Sequence, residues 1–342
     1  MTAARTGVLL SNLGTPDSPT RRDVRRYLRE FLSDPRVIDG PALPRWLLVN
    51  LVIAPFRSRT SAAAYQKIWG PDGSPLLVHG RALCADVARA LGPGHVVALG
   101  MRYGSPSIAQ ALGELVAAGV GRIVALPLYP QWAESSTGST LACLAQAHGA
   151  LGGAPPLEVL PAFFDAPGFV AAWTAVARPA LAEARPDYVL FSYHGLPERQ
   201  VKAADPTRGH CLTTASCCEA PPPAVLARCY RAQCLATTRA LAGTLALAPG
   251  NFSSAFQSRL GRTPWIQPFT DQVLPELAAR GVKRLAVLCP SFVADCLETV
   301  EEIGIRGREQ WHSLGGESLT LVPSLNAHPN WVEAVTALVP TG

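Results

Sequence analysis

Seven short apolar runs, rich in β-branched residues, recur along the chain with helical patterns between them: Gly7–Leu13, Val96–Met101, Arg122–Leu128, Leu157–Pro161, Tyr188–Tyr193, Leu285–Cys289 and Leu319–Val322. A strand followed by a helix rejoins its sheet by a crossover and therefore in parallel, so this alternation restricts the chain to an α/β architecture built on parallel sheets. The helical candidates are Pro19–Leu32, opened by Ser18 as N-cap with Pro19 in the first turn, then Ile108–Ala118, Val170–Ala184, Thr237–Leu247 and Val273–Ala279.

Two of these helix-to-strand passages echo each other. Residues 114–126 (ELVAAGVGRIVAL) align with residues 276–288 (ELAARGVKRLAVL) at a constant offset of 162, each a helix end, a glycine C-cap, a basic residue and a buried strand. A chain of 342 residues is long enough for two domains of about 150 residues each. The expected division is residues 1–155, with 326–342 packing back on them, and residues 156–325, the latter carrying a cysteine-rich insertion near 205–234.

Composition removes several classes. Hydrophobic residues make up 48% and charged residues 16%, too apolar for disorder and too mixed for a coiled coil. The net charge of +5 is scattered except for Arg21, Arg22, Arg25, Arg26 and Arg29, which share one predicted helix. A solvated helix face accounts for that cluster without nucleic acid. Met1–Gly7 shows no apolar core followed by a cleavage site, so a cytoplasmic location is expected. The longest apolar run, Trp46–Phe56, is too short for the roughly 20 residues of a spanning helix but suits a membrane surface.

In open α/β sheets ligands collect beyond the carboxyl ends of the strands. The residues there are Asn12 to Thr15, Arg102 and Tyr103, Tyr129 to Gly138, His194 and Gly195, and Ser291 to Asp295, five loops expected to converge on one cleft between the halves. His194 follows a buried strand directly, and a neutral imidazole can take a proton or bind a metal. A strand-end histidine held by a backbone partner is the plainer alternative. Glu298 and Glu302, four apart on a probable helix, share a face, and Asp295 lies a turn earlier. Such a row is either a solvated acidic helix start or a path for a divalent cation or protons.

At this point a resemblance is plain. The segments 8–16 (VLLSNLGTP), 31–38 (FLSDPRVI), 192–199 (SYHGLPER), 256–265 (FQSRLGRTPW) and 294–299 (ADCLET) resemble, in order and across nearly the whole chain, the signatures of the ferrochelatase family, which inserts ferrous iron into a porphyrin. The resemblance implies two Rossmann-like halves in a chelatase-like fold, with the porphyrin in the active-site cleft between them. It implies His194 as metal ligand or acceptor of pyrrole protons, Glu298 as its carboxylate partner and Glu302 as the continuation of the acidic line. By the same resemblance Arg102 and Tyr103 lie near the macrocycle, Leu13 lies under its face, Trp265 packs beside it, and Ser135, Ser136 and Thr137 belong to a Ser/Thr-rich active-site loop. Residues 43–56 match a lip that can face the membrane, with Arg45, Arg57 and Arg59 suited to anionic head groups. The substrates implied are a porphyrin, with protoporphyrin IX favoured over coproporphyrin III, and iron(II).

Five of the nine cysteines, Cys211, Cys217, Cys218, Cys229 and Cys234, fall within 24 positions. In a reducing compartment such a cluster reads as buried thiols, a zinc site or an iron–sulfur centre rather than disulfides. Some ferrochelatases carry a [2Fe–2S] cluster on internal cysteines, so the resemblance points to Cys211, Cys217, Cys218 and Cys229 as its ligands; Cys234 matches a cysteine of members that lack the cluster. Cys217 and Cys218, being adjacent, are expected to splay apart. The competing readings are a chelatase for another metal or tetrapyrrole and a non-catalytic haem or porphyrin carrier. The LPER continuation at 196–199 and the Glu298 motif favour iron insertion over both.

Overall fold

The computed structural model describes residues 4–261 and 263–340. Of the segments singled out above, residues 1–3 of the N-terminal stretch, Arg262 in the 256–265 motif and residues 341–342 of the segment 326–342 lie outside the described residues. The chain divides into two compact units: residues up to Tyr129 with Glu134–Ala162 and Val332 onward, and Pro130–Ala133 with Phe163–Trp331.

The first unit is built on strands β1 (Thr6–Thr15), β2 (His95–Gly104), β3 (Arg122–Pro127) and β4 (Leu157–Val159), all parallel in the order β2-β1-β3-β4. The second repeats that order with β5 (Tyr188–His194), β6 (Phe252–Gln257), β7 (Arg284–Leu288) and β8 (Ser318–Leu321), as β6-β5-β7-β8. The two echoing segments end on β3 and β7, which hold the same place in their sheets. The central strands carry near-continuous apolar runs because helices cover both faces of such a sheet. Leu9, Ile108, Leu112, Leu115, Ile123 and Leu144 form one core, and Leu190, Leu274, Leu285, Val287, Trp311 and Leu319 form the other.

Several expectations shift. β4 pairs with β3, so residues 157–159 belong to the first sheet and the division falls after Ala162 rather than after 155. Thr20, not Ser18, caps the helix Arg21–Ser33: its Oγ1 accepts from Asp23 N, whereas Ser18 Oγ donates to the Asp23 carboxylate. The expected helix Thr237–Leu247 begins instead at Tyr230, straight after Cys229. β6 escapes the apolar-run criterion because two serines interrupt it. The helix Pro329–Leu338 straddles the division: Trp331 packs on Phe163 and Phe169 of the second unit, and beyond it Pro340 O accepts from Arg122 of the first.

Residues 42–68 form a helix that passes through a π-helical stretch, Leu48–Ile53, and most of its apolar side chains face water: Trp46 is 54% exposed, Leu51 59% and Phe56 75%. Arg21, Arg22, Arg26 and Arg29 are exposed on the helix before it. Among the described residues no helix is long and apolar enough to cross a membrane.

Candidate functional site

The crossover from β5 leads one way, to β6, and that from β7 leads the other way, to β8, so the loops at the carboxyl ends of β5 and β7 flank a switch point. His194 ends β5. Its Nδ1 lies 2.6 Å from Gly195 O. A carbonyl only accepts, so Nδ1 carries the proton, and in the neutral ring Nε2 presents its lone pair. The ring sits beside Trp265 (6.5 Å between centroids) and Phe292 (6.3 Å). Gly195 permits this approach, since a Cβ there would meet Gln257 O at 2.9 Å and the Trp265 ring at 3.2 Å. Trp265 is fixed by its indole N–H on Leu260 O at 2.9 Å.

Glu298 and Glu302 lie on a π-helical segment, Leu297–Gly307. π-Helical turns are rare and cluster at functional sites. Gln257, the β6 residue in register with His194, ties this segment to the histidine strand. Its Nε2 donates to Glu298 O at 2.7 Å and to the Glu302 carboxylate at 3.4 Å, its Oε1 accepts from Ser192 Oγ at 2.6 Å, and its main-chain O accepts from Gly195 N at 2.8 Å. Ser258 adds two donors to Glu302, N at 2.9 Å and Oγ at 2.5 Å. Among the described residues no Lys or Arg forms an ion pair with Glu298 or Glu302; neutral donors hold the Glu302 carboxylate, and Glu298 is tied through its main-chain O. Asp295 is separate: it accepts from Thr299, Ser324 N and Asn326 and shapes the loop before the π-helix.

In the first unit Leu13 is half-buried at the end of β1, next to Gly14, whose φ of +117° and whose close approach to Tyr103 O leave no room for a side chain. Arg102 is half-buried and engaged: Nη2 donates to Asp34 at 2.5 Å and Nε to Ser139 Oγ at 2.7 Å. Tyr103 is 1% exposed, and its hydroxyl donates to the same Asp34 oxygen at 2.9 Å. Its ring therefore supports Arg102 and Asp34 from below rather than offering a face to a ligand, a correction to the expectation of contact. Burial pushes the Asp34 carboxyl up, but hydrogen bonds from Ser139, Arg36 N and Tyr103, with the Arg102 charge, outweigh it and hold the group below the ordinary carboxylate value. Ser135, Ser136 and Thr137 occupy another π-helical turn, Glu134–Gly138; both serines are half-buried, and Thr137 Oγ1 is buried without a partner.

The cysteine segment leaves the helix Glu198–Ala204 at Asp205, whose carboxylate accepts from His210 N at 2.7 Å and Cys211 N at 2.9 Å. Cys211, Cys217, Cys218 and Cys229 are all buried. Cys229 directly precedes the helix that starts at Tyr230. Cys217 and Cys218 do not splay, their sulfurs standing 3.7 Å apart. Two thiolates on one tetrahedral metal with bonds of about 2.3 Å stand about 3.8 Å apart. Leu212 N donates to Cys217 Sγ, and Arg231 Nη1 lies 3.4 Å from Cys218 Sγ. Among the described residues no three His, Cys, Asp or Glu side chains converge as a single ion requires. Burial pushes the Cys211 and Cys217 thiols up, and the Cys229 thiol together with burial pushes Cys218 up, so without metal they are protonated.

Asp34, Ser139, Gln257, Ser258 and Tyr230 received no role from sequence reasoning. Asp34, Gln257 and Ser258 lie inside recognisable motifs, which was the available signal; Ser139 and Tyr230 had none.

Solved structures share this two-sheet fold. SirB from Bacillus subtilis with Fe3+ superposes with a TM-score of 0.50 at 11% identity, over 97% of this chain and 93% of that one. The ferrochelatase family model matches residues 5–341. A ferrochelatase of Coxiella burnetii (strain CbuG_Q212) is 50% identical over 97% of this chain and 92% of its own length, and one of Azotobacter vinelandii is 49% identical over 98% of both. The chain belongs to the ferrochelatase family.

Proposed function

We propose that the protein inserts ferrous iron into protoporphyrin IX to give haem, a lyase reaction of haem biosynthesis, and that it does so with His194, Glu298 and Glu302. The observation that supports this reading is the tautomer lock on His194, whose strand is tied through Gln257 to the segment carrying Glu298 and Glu302, with the Glu302 carboxylate held by neutral donors.

Metallation exchanges two pyrrole N–H protons for one Fe2+, so the site must take up two protons and dehydrate a cation. His194 Nε2 accepts a pyrrole proton, and its Nδ1–H on Gly195 O stabilises the imidazolium so formed. Glu298 and Glu302 attract the cation by their unpaired charge or take the second proton outward. A planar macrocycle keeps its nitrogen lone pairs in the ring plane, so the ring has to bend. Trp265, fixed beside His194 by its indole N–H, is a rigid apolar surface suited to impose this distortion, for which roughly 1–5 kcal/mol of remote binding energy is reasonable. Arg102, pinned by Asp34 and Ser139, and the hydroxyls of Ser135 and Ser136 supply polar contacts to the porphyrin. Thr137 Oγ1, buried and unpartnered, completes that loop.

The test is iron insertion by His194→Ala. Turnover should fall by about 10²-fold or more while porphyrin quenching of tryptophan fluorescence persists. Activity within a few-fold of wild type would remove His194 from the mechanism.

Cys211, Cys217, Cys218 and Cys229 would hold a [2Fe–2S] cluster. When bound, the cluster replaces thiol contacts by metal–sulfur bonds that tie the loop after Asp205 to the helix starting at Tyr230. Supporting this are the 3.7 Å sulfur spacing, the N–H donated by Leu212 and the cation at Arg231. Iron and acid-labile sulfide in equal amounts, lost in Cys211→Ser, are expected; one zinc per chain would overturn the assignment.

The protein works in the cytoplasm, peripherally on the inner face of the cell membrane. Trp46, Leu51 and Phe56, exposed beside Arg45, Arg57 and Arg59, support membrane contact through residues 43–56. Phe56→Ser should weaken binding to anionic liposomes while changing stability by less than about 0.5 kcal/mol. Undiminished binding would exclude this surface.

A further inference from the structure

The cysteine segment is not remote from His194. Three consecutive residues where the segment meets the helix Tyr230–Thr244 reach three places. Cys229 is one of the four buried thiols, the Tyr230 hydroxyl donates to His194 O at 2.8 Å, and Arg231 reaches the sulfurs of Cys218 and Cys217.

The pairing of β5 explains why His194 needs this support. On the β6 side the sheet continues past the histidine, with Gly195 N on Gln257 O. Alternation along a strand turns the polar groups of His194 itself toward the β7 side. There the ladder stops at Phe191 against Leu288, three residues short of His194. Two side chains replace the missing strand: Ser291 Oγ accepts the His194 N–H at 3.2 Å, and Tyr230 donates to the carbonyl. Tyr230 is 6% exposed, so its hydroxyl has no solvent alternative and its position follows that of its helix end.

We infer that Tyr230 is a positioning residue for His194, and that through it the order of the four-thiol segment sets the orientation of the imidazole. The inference rests on His194 as the proton acceptor. It assigns the cysteines an effect on turnover that is separate from their effect on stability.

Tyr230→Phe keeps the buried ring and deletes only the hydroxyl. Turnover should fall about tenfold with KM for protoporphyrin unchanged, because the macrocycle is held elsewhere. In 15N-histidine-labelled full-length protein the His194 imidazole signals should shift, and they should shift similarly in Cys211→Ser. The double variant should show less than the product of the two losses, since both cut one path. An unchanged imidazole signal in Tyr230→Phe, equal losses in kcat and folded fraction, or strictly multiplicative losses in the double variant would each overturn the inference. The imidazole signal reports positioning whatever His194 does chemically, so failure of the proton-acceptor reading, seen in His194→Ala, is distinguished from failure of this one.

Discussion

The two units use one strand order to opposite electrostatic ends. β2 and β6 hold equivalent places, and at the end of each a polar side chain reaches a carboxylate from another element. At β2 it is Arg102, which meets Asp34, so the charge is cancelled within the unit. At β6 it is Gln257, joined by Ser258, which meets Glu302 with neutral donors and leaves the charge standing. One strand order thus carries an ion pair in one unit and, in the other, a carboxylate held by neutral donors. A neutral donor can orient a carboxylate as firmly as a cation does without discharging it.

The sharpest way to break this contrast is Glu298→Gln, which keeps the shape of the acidic line and removes half its charge. Iron insertion should drop by about 10²-fold with an unchanged melting curve; a loss explained wholly by unfolding would make Glu298 structural. Next in size is Asp34→Asn. Removing one partner of a buried ion pair leaves Arg102 uncompensated and should cost about 3 kcal/mol in chemical denaturation. If stability stays within about 0.5 kcal/mol while activity collapses, the charge at Asp34 serves catalysis and the contrast between the units fails.

Acid stability follows from the same pair and from Asp205. Burial pushes the Asp205 carboxyl up, but hydrogen bonds from Cys211 N, Thr207 and His210 N prevail, so both aspartates are held below the ordinary value in the folded state. Their stabilisation is complete above the unfolded carboxyl pKa of about 4 and is lost as pH falls below it. Denaturation midpoints measured from about pH 5 to 3 should decline, less steeply in Asp34→Asn; parallel curves for the two proteins would deny Asp34 its share. The smallest effect is expected for Ser258→Ala, which deletes one of the donors to Glu302: about fivefold in turnover, the equivalent of roughly 1 kcal/mol. No change would mean that Ser258 N and Gln257 hold the carboxylate alone.

The parallel α/β architecture was legible because a strand covered on both faces must be apolar throughout, which isolates runs such as Val8–Leu10 and Leu285–Leu288 without knowledge of their neighbours. β6 was not, since Ser253 and Ser254 break its run and its identity comes from pairing with β5. His194 and Glu298 were legible through their motifs. Their supports were not: Asp34 lies 68 residues from Arg102 and Gln257 lies 41 from Glu298, separations at which no helical or strand period carries information. The role of Tyr230 was hidden for a related reason, since Cys229 beside it suggested a segment concerned only with itself. The exposure of Trp46 and Phe56 likewise follows from which face of their helix the core takes, which composition does not state.

The helix that crosses the division carries a consequence for how the chain is made. Residues 163–331 are synthesised between the body of the first unit and the segment 332–340 that completes it. At about 5–20 residues per second this interval lasts on the order of ten seconds or more. During it the first unit waits on the ribosome without its last segment and without Pro340 as partner for Arg122, whereas the second unit emerges with all its own residues in hand. The unit translated first is therefore the one that finishes folding last, and the one for which a chaperone holding nascent chain matters most.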